Sequence, residues 1–367
     1  MNQLVLKMLL LFSGFYLAGV TSLSPIYFIF SLVLFFTLIT VFTRNYILSE
    51  KYILFCLIPS VSFFYQYLLT TPSLATGVII NFVYALLLML HLKKAVLTDK
   101  ILLSFIVINL LYCLLDGFWR VLHPDTSVDA NKLAELGLSF HIYKTNSLMY
   151  IDSNTVGLQV VAFLAFYYWL VISNHAKFSF YIFLLASVAV FLTFSRAAYA
   201  GYIFLQIIMV YYKTKWMRYL LLISVPISML FLIGQAEKWL LSDYSFLSKF
   251  KIISLTFDYL SNVDFFTALI GVGAGNGEYA IGMGTHNIFV TWVVELGFIG
   301  AFVYTSFFLY FCLFVRNKVY MILLPIFLVG SSASSLAIPY VFCMMVLAKH
   351  LKENRLGVNM SDRVGVR

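Results

Sequence analysis

The sequence predicts an all-α, polytopic integral membrane protein with about twelve transmembrane helices. Three observations predict this class: the composition, the length of the apolar runs and the distribution of basic residues. Hydrophobic residues make up 62% of the 367 residues and charged residues only 11%, and the mean hydropathy is +0.96. An ordinary soluble domain is roughly 45–50% apolar and about 25% charged. A soluble fold of this composition would therefore aggregate.

The candidate spans are apolar runs near the length of about 20 residues that a helix needs to cross a bilayer. They lie near 5–20, 24–43, 52–70, 75–92, 101–121, 155–173, 178–194, 197–212, 219–234, 287–315, 319–333 and 336–350. The first run has some features of a signal peptide, since Lys7 precedes an apolar stretch, but the many later spans favour a retained helix. The last two runs are separated only by 330–335, so one long helix is the alternative there.

The basic residues predict the orientation. With the N-terminus inside, 17 of the 24 Lys and Arg residues fall on the cytoplasmic side, which is where such residues are retained. Both termini are then cytoplasmic, residues 1–350 form a single transmembrane domain, and 351–367 form a short tail. Two longer connections, near 122–154 and 235–286, lie outside. The seven basic residues on the outer side are Arg120, Lys132, Lys144, Arg196, Lys238, Lys249 and Lys251.

Several function classes are excluded by what the sequence lacks. It contains no Rossmann or P-loop fingerprint and no Asp-x-Asp sequence that would hold a nucleotide sugar or ATP. Its basic residues are too dispersed for a nucleic-acid surface. The cysteines lie in apolar runs without metal or disulfide spacing. We expect no cofactor, no bound metal and no nucleic-acid partner, and a substrate that arrives in the membrane or from outside.

Ionisable residues in or beside spans are candidates for function, because a charge costs roughly 2.5–3.5 kcal/mol at a helix centre. Asp116 and Arg120 are four residues apart on one helix face, where they either pair to fix helix packing or serve a ligand. Arg196 follows Ser195 at a tight turn before small residues. Its guanidinium suits a bidentate phosphate, or it snorkels to lipid. Glu295 lies within a later span and is a further candidate.

A glycine-rich string, "GVGAGNGEYAIGMGTHNIFVTWVVELGFIG" over 271–300, ends the second outer connection. Gly273 and Gly275 would let backbone N–H groups approach an oxyanion or sugar, unless the run is only a flexible loop. Glu278 is a candidate ligand contact in the same string. His286 enters the membrane at phosphate depth, and imidazole suits a general base for a sugar hydroxyl. A structural role is the alternative, and Asn287 is a candidate contact beside it.

A weaker candidate lies in "YIDSNTVGLQ" over 150–159, where Asp152, Ser153 and Asn154 open a span. A helix N-cap explains these residues without a function. Their predicted place at the outer surface also allows Asn154 to contact a ligand.

These strings, taken in order, resemble the O-antigen polymerase and ligase superfamily of bacterial inner-membrane enzymes. The resemblance rests on "LLDGFWRVLHP", "DSNTVGL", "LTFSRAAYAG" and the glycine-rich string, and the topology agrees over nearly the whole chain. The Ser-Arg turn and the glycine-rich string are the more specific parts. Short cytoplasmic ends and the length of 367 residues are more typical of the polymerase than of the ligase.

The resemblance implies an inverting, metal-independent glycosyl transfer on the outer face of the inner membrane. Undecaprenyl diphosphate would be the leaving group, and a chain-length regulator a further partner. Arg196 and Arg120 would bind the diphosphate of the donor, and His286 would activate the acceptor hydroxyl. The sequence departs from the polymerases in one respect: they often have arginine-containing tracts in both large outer loops, whereas here 235–286 contains lysines but no arginine. A ligase is the enzymatic alternative, and a lipid-linked oligosaccharide flippase or secondary transporter is the alternative from another class.

Overall fold

The fold is a bundle of α-helices. The computed structural model describes residues 2–21, 23–44, 50–93, 95–127, 139–150, 152–214, 244–315 and 318–364. Helix makes up 76% of the structure, and no strand occurs within these residues. The predicted all-α class is therefore confirmed, while the candidate span at 219–234 lies outside the described residues.

The helices follow the predicted runs, although many are shorter than the runs. In chain order they are α1 (Asn2–Phe12), α2 (Pro25–Arg44), α3 (Glu50–Ser62), α4 (Gln66–Leu69), α5 (Pro72–Leu92), α6 (Asp99–Leu122), α7 (Ser153–Ile172), α8 (Phe180–Phe191), α9 (Arg196–Lys213), α10 (Tyr244–Asn262), α11 (Phe265–Ile270), α12 (Gly277–Ile281), α13 (Ile288–Tyr310), α14 (Tyr320–Gly330) and α15 (Pro339–Val364). A 3₁₀ segment spans Ser139–Tyr143, and a π-helical turn, Phe311–Val315, extends α13.

Four helices are long and apolar enough to cross a membrane: α5, α6, α7 and the segment Ile288–Val315. Each coincides with a predicted span. Other apolar helices of the described chain, such as α8 and α14, have only 10–17 residues. Within the described residues the structure supports a membrane protein with these four candidate spans, and the predicted count of about twelve is not confirmed.

Helix α7 lies at the centre of the bundle. In its most apolar window 94% of the residues are buried, and α6, α8, α9 and α14 pack around it. Small residues allow close contact, since a Cβ atom at Gly157 would lie 2.7 Å from that of Ala198. Of the small residues that follow Arg196, Ala198 and Gly201 are buried, and a Cβ atom at Gly201 would lie 2.4 Å from the side chain of Val329, whereas Ala200 is exposed.

The connection between α14 and α15 resolves one alternative. Helix α14 ends at Gly330 and α15 begins at Pro339, so the single long helix considered for this region is not formed. The buried amide of Asn81 holds the connection, because it accepts a hydrogen bond from the Ile338 N–H at 2.8 Å and donates to the Leu336 carbonyl at 2.6 Å. Helix α15 continues to Val364, so most of the predicted tail is helical.

Helix α13 is interrupted. Gly297 has φ +68°, a left-handed conformation that breaks the helix inside a candidate span. The carbonyls of Val294 and Glu295 accept hydrogen bonds from the N–H groups of Val272 and Gly273, each at 3.0 Å. Backbone away from water must be paired within the protein. The glycine-rich string therefore supplies the partners that the broken helix lacks.

The second predicted outer connection is largely helical where the structure describes it, from residue 244 onward. It contains α10, α11 and α12. Ile252 of α10 and Ile281 of α12 pack against Val290 and Val294 of α13. This small apolar cluster holds the connection against the first half of α13.

The break gives a test with a matched control. Gly297→Ala should destabilise the protein by about 1–3 kcal/mol through its backbone conformation, φ +68° with ψ −177°, which is essentially confined to glycine. A further 1–3 kcal/mol should follow from overpacking, because its Cβ would lie 2.3 Å from the Leu269 carbonyl oxygen. Gly282 has φ +70° but open space around it, so Gly282→Ala should show only the backbone effect. Thermal unfolding in nanodiscs measures both, and equal losses would contradict the close contact.

Candidate functional site

A cleft of about 380 Å³ opens where several helix ends meet. Its walls come from the connection between α1 and α2, the first turns of α5 and α7, the segment 275–295 and the connection 334–337. In the predicted topology all of these belong to one face of the membrane. Four of the ten predicted site residues line the cleft, namely Gly275, Glu278, His286 and Glu295.

His286 faces a carboxylate across the cleft. Its Nδ1 atom lies 3.8 Å from Oδ2 of Asp152, and the two side chains are 53% and 25% exposed. The separation is a charge contact rather than a hydrogen bond, and it places the carboxylate where it can stabilise a protonated imidazole. The sequence had indicated only a capping role for Asp152, so this pairing is new.

Asp152 is also the first residue in a series of hydrogen bonds that leads out of the cleft. Its carboxylate accepts hydrogen bonds from the Asn154 N–H at 3.0 Å and from the Asn154 side-chain amide at 2.8 Å. The Asn154 amide oxygen in turn accepts one from the Ser195 hydroxyl at 2.6 Å. Ser195 caps α9, whose first residue is the exposed Arg196. The predicted residues Asn154, Arg196 and His286 are thus brought into one neighbourhood through Asp152.

The backbone of the glycine-rich string is already hydrogen-bonded. Beyond Val272 and Gly273, the Ala274 N–H donates to Gln66 Oε1 at 2.8 Å and the Gly275 N–H donates to Glu295 Oε2 at 2.7 Å. The expectation that the N–H groups of Gly273 and Gly275 bind an oxyanion is therefore not met in this structure. Their donors serve the fold, because the broken helix and its neighbours require them.

Glu295 is buried, with 5% of its surface exposed, and its carboxylate anchors the cleft wall. Oε1 accepts a hydrogen bond from Thr285 at 3.2 Å, while Oε2 holds the Gly275 N–H. Asn287 plays a similar structural part, since its side-chain oxygen caps α13 by accepting from the Phe289 N–H at 2.9 Å. Glu278 differs from both, because it is exposed in the first turn of α12 and faces the cleft.

Asp116 and Arg120 form a fully buried ion pair that does not line the cleft. Arg120 Nε lies 2.8 Å from Asp116 Oδ2, and the side chains are 0% and 1% exposed. Arg120 also donates to the Tyr143 carbonyl at 2.9 Å, and Asp116 Oδ1 accepts from the Leu148 N–H at 2.7 Å. The pair binds the segment 139–150 to α6. In this conformation the Arg120 side chain is buried away from the cleft.

The exposed end of the same connection is held by Asp125. Hydrogen bonds from Ser127 and Thr145 to its carboxylate lower the pKa of Asp125. This contact and the buried ion pair hold the segment 139–150 beside the end of α6. Helix α7, which Asp152 caps, follows directly after this segment.

Sequence reasoning missed most of the cleft lining. Tyr16, Tyr27 and Tyr150 form part of its wall, and Ser334 and Ser335 form another part. Aromatic residues are common throughout this chain, so nothing in the local sequence distinguishes these three. Within the described residues, no group of three His, Cys, Asp or Glu side chains is placed to hold a metal ion.

No protein-family model, curated protein or solved structure shows a significant match to this chain. The resemblance to the O-antigen polymerase and ligase superfamily therefore stays a prediction from the sequence.

The buried pair gives a second test. Asp116→Asn leaves the Arg120 charge buried without its partner, which costs about 3–5 kcal/mol in comparable buried pairs. We expect a large fall in thermal stability and in membrane abundance. Asp258→Asn, the same change at an exposed position of α10, should have little effect. If the Asp116 variant were as stable as the control, the pair would not hold the connection in place.

Proposed function

We propose that this protein is a membrane glycosyltransferase of the O-antigen polymerase type. It transfers a growing glycan from undecaprenyl diphosphate to an incoming lipid-linked repeat unit at the outer face of the bacterial inner membrane. The observation that carries the proposal is the approach of His286 to Asp152 inside a cleft at the helix ends. The sequence motifs support the same reaction.

In the proposed reaction, His286 acts on the acceptor. An acceptor hydroxyl in the cleft gives its proton to the imidazole as its oxygen attacks the anomeric carbon of the donor. The bond from that carbon to the diphosphate oxygen breaks, and the diphosphate leaves with the bonding electrons. Asp152 stabilises the imidazolium that forms, as the aspartate of a catalytic triad does. Attack opposite to the leaving group inverts the anomeric centre.

The leaving diphosphate needs positive charge where negative charge develops. Arg196 supplies it in this proposal. The arginine is exposed at the start of α9 and is linked to Asp152 through Ser195 and Asn154. A guanidinium binds phosphate oxygens with two parallel hydrogen bonds, which a lysine does not. Because Arg120 is buried and paired with Asp116, we assign it a supporting role instead of contact with the diphosphate.

A transporter is the second candidate, and one observation favours it. Helix α13 is discontinuous at Gly297, and discontinuous helices are typical of transporter binding sites. Here, however, the carbonyls freed at the break are taken by Val272 and Gly273, so they are not open to an ion. Polymerisation by the purified protein in detergent, where no compartments exist, would separate catalysis from transport.

The charge of Asp152 can be tested apart from its capping role. Asn is as good an N-cap as Asp, so Asp152→Asn should preserve α7 and thermal stability. It should lower the polymerisation rate at least tenfold, because the protonated imidazole loses its carboxylate partner. His286→Ala should lower the rate by about 10²–10⁴, whereas His123→Ala, at another exposed histidine, should not.

The assay is the formation of glycan ladders from a purified lipid diphosphate repeat unit in the absence of a core acceptor. A polymerase makes ladders under these conditions and a ligase does not. Undiminished ladders from the His286 variant would contradict the proposed mechanism.

The Arg196→Lys variant should polymerise more slowly than the original protein but faster than Arg196→Ala. Lysine keeps the positive charge but cannot form the two parallel hydrogen bonds of a guanidinium.

A further inference from the structure

The cleft is lined by acidic side chains without a basic counterpart. Asp152, Glu278 and Glu295 contribute carboxyl groups, and no lysine or arginine of the described chain lines it. His286 is the only side chain of the lining that can carry a positive charge, and the Asp152 carboxylate lies 3.8 Å from its Nδ1 atom.

Three N–H groups of the glycine-rich string that could offset this negative charge are already hydrogen-bonded. The N–H groups of Gly273, Ala274 and Gly275 donate within the protein. An anion in this cleft would therefore meet negative charge, with few free donors to compensate. A group that carries hydroxyls or an amine would meet acceptors instead.

The rest of the lining suits the ring of a sugar. Tyr16 packs against Tyr27 and Tyr150, with ring centroids 6.3 and 5.2 Å apart. Thr155, Ser334 and Ser335 line the same space, and the hydroxyls of Thr155 and Ser335 donate to the carbonyls of Ser334 and Ala337. Such side chains both donate and accept hydrogen bonds, as sugar hydroxyls do.

One polar atom in this wall has no partner. Tyr16 is 3% exposed, and its hydroxyl makes no hydrogen bond within the described structure. The hydroxyl has almost no accessible surface, so only the ring of Tyr16 can contact a ligand in the cleft.

We infer that the cleft binds the terminal sugar of the acceptor and selects an uncharged or amine-bearing ring over one that carries a carboxylate. The ring of Tyr16 forms part of the wall against this sugar, and Glu278 excludes the carboxylate. The inference rests on the proposed function, since it names the acceptor class for that reaction. It also divides the site by charge, with the acceptor in the acidic cleft and the donor diphosphate beside Arg196.

The test measures binding without turnover. Saturation-transfer NMR on the protein in nanodiscs would compare the methyl glycosides of glucose, galactose and mannose with those of their uronic acids, which differ only at C6. At least one neutral glycoside should bind about tenfold or more tightly than its uronate. Equal or tighter binding of the uronates, or no binding of any neutral glycoside, would overturn the inference.

Two variants of Glu278 assign the selectivity to this residue. Glu278→Gln should weaken the preference for the neutral glycoside, and Glu278→Lys should reverse or abolish it. Asp258→Lys, the same charge change at an exposed position of α10 outside the lining, should leave the preference unaltered. An unchanged preference in both Glu278 variants would contradict the assigned role.

The outcome separates this inference from the proposed function. Selective binding of neutral glycosides without ladder formation would support the inferred selectivity of the cleft and contradict the proposed polymerase activity. Ladders that form equally fast from repeat units ending in a uronic acid would retain the polymerase and remove the inference.

Discussion

The pairing between the broken helix α13 and the glycine-rich string supports the whole cleft. In an apolar bundle a helix break exposes carbonyl groups that have no water to bind, so another part of the chain must supply donors. Val272 and Gly273 do so here. Gly275 then donates to the buried carboxylate of Glu295. These contacts fix the string against α13, and the string in turn carries Glu278 and His286 to the cleft.

The opposite wall depends on a different charge arrangement. Asp116 and Arg120 neutralise each other inside the bundle and hold the segment that leads to α7. Asp152 therefore arrives at a defined place, where it caps α7 and faces His286. The three carboxylates Asp116, Glu295 and Asp152 thus do different work. Asp116 pairs with a cation away from the cleft, Glu295 lines the cleft while it binds backbone, and Asp152 combines a helix cap with a contact to His286.

This division of labour bears on the chemistry. A glycosyl transfer from a lipid diphosphate needs acceptors near the attacking hydroxyl and positive charge near the leaving group. The cleft contains the hydrogen-bond acceptors, but no lysine or arginine of the described chain lines it. Arg196 lies outside its lining, at the far end of the hydrogen bonds through Asn154 and Ser195. In the proposed reaction these hydrogen bonds fix the donor and acceptor regions relative to each other.

The sequence by itself determined the helical class, the position of the four candidate spans and four of the residues that line the cleft. Composition and apolar run length are enough for these, because the cost of burying charge and unpaired backbone acts on each segment separately. It also indicated that Asp116 and Arg120 could pair, since the four-residue spacing is local to one helix.

Only the tertiary structure decided the roles of these residues. His286 meets Asp152 although 134 positions separate them in the sequence. The N–H of Gly273 donates to the Glu295 carbonyl beside the helix break at Gly297, and the N–H of Gly275 donates to the Glu295 carboxylate. Contacts between distant segments depend on packing of the whole bundle, which no local pattern of residues encodes.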